Sequence, residues 1–146
     1  MTVTINGNGT ITPTTAIQPT GSALQVVSSN LTSQMTSSST SYVDTGLTAT
    51  ITPSATSSKV LVLLNVAFSL NGDNNAFLQV LRDSTVINSG SGGTHNVWTA
   101  INSNATTHRY STTQQACSYL DSPSSSSSLV YKVQTKVANG STTLSI

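Results

Sequence analysis

The chain has 146 residues, a formal net charge of +1 at pH 7 and only 6% charged residues, and this length suits one domain with a substantial core. The nearly neutral charge gives no electrostatic basis for binding nucleic acid or inserting into an anionic membrane. Disordered chains usually combine low hydrophobicity with high net charge, whereas 36% of this chain is hydrophobic, so we expect a folded protein.

The first 22 residues, MTVTINGNGTITPTTAIQPTGS, form a distinct segment that we interpret as an extended N-terminal arm. Pro13 and Pro19 exclude a helix, and two Asn-Gly pairs favour turns. The isolated apolar residues of the arm are its candidate anchors: Val3, Ile5, Ile11 and Ile17. A flexible tail is the alternative, and a secretory signal is not indicated, because the segment lacks a basic start and an apolar middle.

Strand patterns begin at Ala23, where ALQVV is interpreted as the start of the body. The segment SYVDTGLTATITP then alternates Leu47, Ala49 and Ile51 with threonines, and Pro53 closes it. We therefore expect two domains or regions, an arm over residues 1–22 and a β-domain over residues 23–146.

The following strand, SKVLVLLNVAFSL, is apolar along one face and also at one end of the other face. Leu61 and Leu63 make up that second apolar patch. A strand that is apolar on both faces is typically covered on both, so we expect a neighbouring subunit, a loop or the arm to cover these leucines. The apolar run VLVLLNVAF is too short for a transmembrane helix.

The remaining segments continue the strand-and-turn pattern. After the turn NGDNN come AFLQVLRD, STVI, the glycine-rich stretch NSGSGGTHN, VWTAI, HRYSTTQQACSYL, LVYKVQTKV, the turn ANGS and TTLSI. No segment shows apolar spacing at i, i+3, i+4 and i+7. About eight to ten short strands separated by turns predict an all-β sandwich or barrel.

Five consecutive serines, Ser124 to Ser128, lie between two segments that alternate as half-buried strands. Asp121, Ser122 and Pro123 precede the run and supply turn chemistry. We interpret the run as a surface loop within the β-domain, not as a linker between domains.

Catalytic chemistry is not indicated by the sequence, and we expect no enzyme activity. Ser91 lies near His95, but the chain lacks a G-x-S-x-G elbow, and a glycine-rich turn explains this stretch. A glycosidase needs paired carboxylates, whereas the chain has no glutamate and its aspartates fall mostly at turns.

Metal and cofactor sites are likewise not predicted. His95 and His108 have no cysteine or glutamate partner nearby in sequence, and the single Cys117 is best explained as a small buried apolar residue. The stretch SGSGG lacks the lysine and the following helix of a phosphate loop. Trp98 and Tyr110 are candidates for a receptor surface that stacks on sugars, with core packing as the alternative.

The order of several motifs resembles a recurrent β-domain of tailed-phage virion proteins. The resemblance lies in GSALQVV, SYVDTGLTATITPSATSSKVLVLLNV, FLQVLRDSTVI and YLDSP followed by serines and YKVQ, and it covers about residues 21–137. The opening MTVTINGNGTI is also similar to the starts of phage structural proteins. The resemblance implies a jelly-roll-like antiparallel β-sandwich that is usually trimeric. The chain has no coiled coil, collagen-like repeat or shaft of a long fibre.

Together these features predict a non-enzymatic component of the virion. The leading hypothesis is a homotrimeric capsid decoration or cement protein whose arm binds the major capsid protein or another virion protein, with Leu61 and Leu63 as a candidate subunit interface. The alternative is a tail-fibre or spike tip that binds a host-surface glycan or protein. A secreted adhesin or lectin is a third class, which the absence of a recognisable signal disfavours.

Overall fold

The structure is a computed structural model that describes residues 4–5, 11–12, 22–71, 75–87, 99–102 and 111–146. Over these residues it contains strands, turns and irregular segments, and no helix. The strands are β1 (Thr4–Ile5), β2 (Ile11–Thr12), β3 (Thr36–Ser37), β4 (Val43–Ile51), β5 (Val60–Asn71), β6 (Asn75–Arg82), β7 (Thr85–Ile87), β8 (Thr99–Asn102), β9 (Ser111–Asp121), β10 (Leu129–Val137) and β11 (Thr143–Ser145).

Two antiparallel sheets pack against each other and form a β-sandwich, which confirms the predicted fold class. Sheet I has the order β4-β10-β6-β7, and β8 also pairs with β6. Sheet II has the order β3-β11-β5-β9. The chain alternates between the sheets from β3 to β6 and again from β9 to β11, so neighbours in a sheet are mostly distant in sequence. This alternation is the jelly-roll-like feature of the topology.

The core lies between the sheets and is built from the alternate residues of long strands. On β5, Val60, Val66, Phe68 and Leu70 are buried, while Val62 and Leu64 pack against them from partly buried positions. This is the apolar face that the period-two pattern predicts for β5. Sheet I supplies the facing residues: Ala76, Leu78, Val80, Ile87, Leu129, Tyr131, Val133 and Val137.

Strand β4 contains a bulge that its regular sequence alternation does not reveal. The pairing of β4 with β10 shifts in register between Lys132 and Gln134, opposite Gly46, which has φ of +87°. The buried Thr45 hydroxyl donates to the Val133 carbonyl at 2.9 Å. Glycine adopts this left-handed conformation at low cost, and the threonine hydroxyl supplies a hydrogen bond at the point where the register shifts.

The two sheets are tied together at one end by a polar cluster that we call the inter-sheet clasp. Arg82 on β6 donates through one guanidinium nitrogen to both carboxylate oxygens of Asp121 on β9, at 2.8 and 2.7 Å. The Tyr131 hydroxyl on β10 donates to Asp121 at 2.7 Å. Asp121 is 4% exposed, and a carboxylate can be buried at this depth because it accepts several hydrogen bonds.

Asp121 therefore does more than the turn role that the sequence suggested for the segment around it. The serine-rich segment beyond it joins β9 to β10 within the sandwich, as predicted for a surface loop. Its first backbone amide, that of Ser122, donates to Asp121 at 2.8 Å. Ser124 has a positive φ of 51°, so this loop makes a defined turn.

The strand expected at Ala23 to Val27 is wrong. Residues 22–30 have no regular structure and are exposed. These residues form no backbone hydrogen-bond ladder with any described strand, and a strand is not stable without such a ladder. The first strand of the sandwich is β3, and next to it Met35 exchanges two backbone hydrogen bonds with Ile146, at 3.0 and 2.9 Å.

Candidate interaction surface

The outward side of β5 and β9 carries a cluster of exposed leucines. Leu61 is 60% exposed, Leu63 is 73% exposed and Leu120 is 58% exposed. Leu61 and Leu120 are directly opposite each other in the antiparallel ladder, so their Cβ atoms lie about 4.5–5.5 Å apart. We call the outward residues of β5 and β9 the sheet II outer face.

The sheet II outer face carries no charged side chain along its two described strands. The outward residues of β5 after the leucines are Asn65, Ala67, Ser69 and Asn71, and those of β9 before Leu120 are Thr112, Gln114, Ala116 and Ser118. Gln114 donates to the Asn65 side chain at 3.0 Å. The nearest cation along β5 is Lys59, which precedes the strand and donates to the Ser122 hydroxyl at 2.6 Å.

Sheet I has an outward side of opposite character. Asp44 accepts from Gln134 at 2.7 Å and from Lys132 at 3.1 Å, and Gln134 also accepts from Gln79 at 2.7 Å. The hydrogen bond from Gln134, and next that from Lys132, lowers the pKa of Asp44. The polar side chains of this side therefore satisfy one another across three neighbouring strands.

Strand β6 is buried on both faces, which is a property that the sequence had suggested for β5 instead. On its outward side Phe77 is 2% exposed, and Gln79 and Leu81 are buried as well. The Lys136 ammonium lies 5.4 Å from the centre of the Phe77 ring and 4.7 Å from that of Tyr42. Such a cation over two rings covers apolar surface while its charge stays favourable.

A second exposed apolar element precedes the sandwich. Within residues 22–30, which we call the exposed segment, Leu24 is 54% exposed, Val26 is 85% exposed and Val27 is 41% exposed. The exposed segment is uncharged, as is the chain up to Asp44. Its last residues, 29–30, and the following residues, 31–34, line a groove of about 380 Å³ together with Asn65 and Ala67 of β5. Leu31 packs closely over Gly46 where the segment enters the body: its Cδ1 atom lies 3.6 Å from the point where a Cβ atom would stand if residue 46 had a side chain.

Four sequence-predicted site residues lie outside the described residues: Val3, Ile17, Trp98 and Tyr110. The same holds for Ser91, His95 and His108, for which no site is predicted. Of the other arm anchors, Ile5 and Ile11 are backbone partners in the short antiparallel ladder of β1 and β2. The chain therefore folds back on itself here. The anchoring role of all four residues stays a prediction.

The structure brings Leu61 and Leu63 together with a third residue that sequence reasoning did not single out, Leu120. Its signal was present, because Leu120 shares the outward phase of β9 with Ser118 and Ala116. The partner strand of β5 could not be named from the sequence, since β5 and β9 are separated by three other strands. Coverage of this face by another chain stays a prediction.

Other chemistry in the described part of the chain is limited. Cys117 is partly buried on β9, and burial raises the pKa of its thiol, which weakens it as a nucleophile. The described residues contain no group of three or more His, Cys, Asp or Glu side chains arranged for a metal ion. No helix among them could cross a membrane.

Comparison of the chain with protein-family models, with curated proteins and with solved structures gave no match. The basis for a functional proposal is therefore the chemistry of these surfaces together with the order of the sequence motifs.

Proposed function

We propose that this chain is a structural protein of a phage virion, a homotrimer that decorates the capsid and is attached by its N-terminal arm. The observation that carries the proposal is the sheet II outer face, which presents three leucines that are each more than half exposed and carries no charge. The motif order that resembles tailed-phage virion proteins supplies the expected setting for such a module.

The sheet II outer face has the composition of an interface core. Interfaces between copies of a chain are depleted in charge at their centre, because an unpaired charge is costly to bury. Full burial of the exposed parts of Leu61, Leu63 and Leu120 would contribute about 1–2 kcal/mol each before ordering costs. A contiguous apolar patch of this kind typically marks a protein contact.

The arm supports attachment to a second partner. It has few apolar residues, two prolines and two Asn-Gly pairs, so it cannot bury enough surface to form a core of its own. In the described part of the arm β1 and β2 pair with each other, and the open edges of so short a ladder can gain order by adding backbone hydrogen bonds to another chain. Three arms in one trimer would bind with avidity, which offsets the weak binding of each arm.

The trimer is tested by light scattering at micromolar concentration. Three copies of the 15.1 kDa chain have a mass of 45.3 kDa, and this mass is expected for the wild type. The double variant Leu61→Asp, Leu63→Asp should run as a folded 15.1 kDa monomer, because forming the trimer would bury two unpaired charges of each chain. A matched control is Thr48→Asp, which adds a charge to the exposed side of β4 and should stay trimeric. A monomeric wild type contradicts the trimer.

The location and the arm are tested on purified particles. Cryo-electron microscopy should place the trimer at regular sites of the capsid surface, and density only at the tail tip would instead support a host-binding fibre tip. Deletion of residues 1–20 should leave a folded, soluble trimer that no longer attaches to particles. Attachment of the truncated protein at wild-type occupancy would show that the arm is not the anchor.

A further inference from the structure

We propose that the exposed segment of one copy lies across the sheet II outer face of the next copy, so that each chain covers its neighbour. This inference rests on the proposed trimer and adds the contact that builds it. Within one chain, Ser29 and Asn30 line a groove together with Asn65 and Ala67, while Val26 is 85% exposed and Leu63 is 73% exposed. Among the described residues, the apolar side chains of both surfaces are therefore left exposed.

The two surfaces match in charge and in polarity. The exposed segment, SALQVVSSN, and the outward residues of β5 and β9 are all uncharged. Burying one against the other therefore leaves no unpaired ion in the contact. The serines and asparagine that flank the apolar residues of the segment can lie at the rim, where polar groups remain hydrated.

The spacing of the apolar side chains also matches. In an extended chain, Leu24 and Val26 point to the same side and lie about 6.6 Å apart along the backbone. Leu61 and Leu63 have the same separation along β5, and both point outward. An extended segment can therefore place two apolar side chains against two leucines, with Leu120 beside them.

The length of the segment is sufficient for an intermolecular contact. The nine residues from Ser22 to Asn30 span up to about 30 Å when extended. Leu61 and Leu63 occupy about 6.6 Å along β5. The segment can thus lie along β5 of a neighbour, with further residues to span the distance to Leu31, which stays packed against Gly46 of its own chain.

The symmetry of such a contact agrees with a three-fold assembly. When the segment of each copy contacts the next copy in one direction, the contact is heterologous, and such contacts close into a ring when the rotation between copies returns to the first copy. A three-fold rotation does so with three copies. A reciprocal exchange between two copies would use the same two surfaces, so a mass of two chains by light scattering would contradict the trimer.

The test is a disulfide cross-link between two kinds of chain that are co-expressed with different tags. Both carry Cys117→Ser, which removes the native thiol. One chain carries Val26→Cys and the other carries Leu63→Cys, two exposed positions. Oxidation is expected to link the two chains into a species of twice the chain mass. A matched control that replaces Leu63→Cys by Thr48→Cys, on the exposed side of β4, is expected to give no link.

Three outcomes overturn the proposal. In a trimer by light scattering, absence of the Val26→Cys to Leu63→Cys link overturns the segment contact and leaves the proposed trimer standing. A chain that carries both cysteines and forms its disulfide internally, when co-expressed with excess wild-type chain, shows that the segment covers its own sheet. A wild-type mass of 15.1 kDa contradicts both the contact and the trimer.

Discussion

The outward sides of the two sheets differ in how their polar and apolar side chains are paired or covered. On sheet I, Asp44, Lys132 and Gln134 pair with one another, and Phe77 of the central strand is nearly inaccessible. On sheet II, Leu61 and Leu63 face outward and are 60% and 73% exposed. Described residues of the same chain thus cover or pair the outward groups of sheet I, whereas they leave these leucines of sheet II exposed, which is the basis of the proposed subunit contact.

The largest effect is expected from a matched pair of substitutions on the two sides. Phe77→Ala should lower the free energy of unfolding by about 3–5 kcal/mol, because it leaves a cavity at a site that is 2% exposed. Leu63→Ala should change the stability of the single chain by less than about 0.5 kcal/mol. Urea unfolding at two protein concentrations separates the effects, because a loss of subunit contacts depends on concentration. If Leu63→Ala lowered the free energy of unfolding strongly and equally at both protein concentrations, the Leu63 side chain would belong to the core of the single chain.

The inter-sheet clasp keeps the two outward sides in fixed relation, and Asp121→Asn should weaken it by about 2–4 kcal/mol. Removing one member of a buried ion pair costs about 3–5 kcal/mol, and the cost is reduced here because the Arg82 side chain is 22% exposed. Thermal unfolding followed by circular dichroism measures the loss. Asp83→Asn, in the exposed turn that follows Arg82, is the control, and an equal loss in both variants would contradict the special role of Asp121.

Tyr131→Phe should cost about 1.5–3 kcal/mol, since it removes a hydrogen bond to a carboxylate. Burial, and next the hydrogen bond to Asp121, raises the pKa of Tyr131 above its ordinary value. The neutral phenol is therefore favoured in the folded state. Its contribution to the free energy of unfolding is fully present below pH about 10 and is lost as the pH rises further. Stability measured from pH 8 to 12 should fall more steeply for the wild type than for Tyr131→Phe. Parallel curves would contradict this assignment.

The smallest effect is expected at the exposed network of sheet I. Asp44→Asn should cost about 0.2–1 kcal/mol near pH 7, because the Asp44 side chain is 53% exposed. The pKa of Asp44 is lowered in the folded state, so its contribution is present above pH about 4 and is lost as the pH falls through the lowered value. Urea midpoints of the two proteins should converge in acid. A difference that persists unchanged at low pH would point to a steric cause.

The sequence was informative where a residue's role follows from alternation within one strand. The buried face of β5, from Val60 to Leu70, follows from period-two spacing alone. The all-β class and the serine-rich loop follow in the same way from local patterns. The outward phase of Leu61 and Leu63 was also readable, because a strand has only two faces.

The sequence was uninformative where a role depends on a distant partner. Asp121 resembles a turn residue, and its function becomes visible only when Arg82, 39 residues away, lies beside it. The burial of β6 on both faces depends on its neighbours, such as Gln134, which is 55 residues from Gln79. The exposed segment was misread because ALQVV has the apolar content of a strand but no ladder to join.

The position of β10 at the middle of sheet I has a consequence for how the chain folds. This strand inserts between β4 and β6, and the contact of Gln134 with Asp44 closes a loop of 90 residues. Until β10 inserts, the facing edges of β4 and β6 cannot form the ladders that β10 supplies. Chains dominated by such distant pairings fold slowly, and unpaired strand edges favour aggregation meanwhile. We expect refolding on the millisecond-to-second scale and yields that fall as the protein concentration rises.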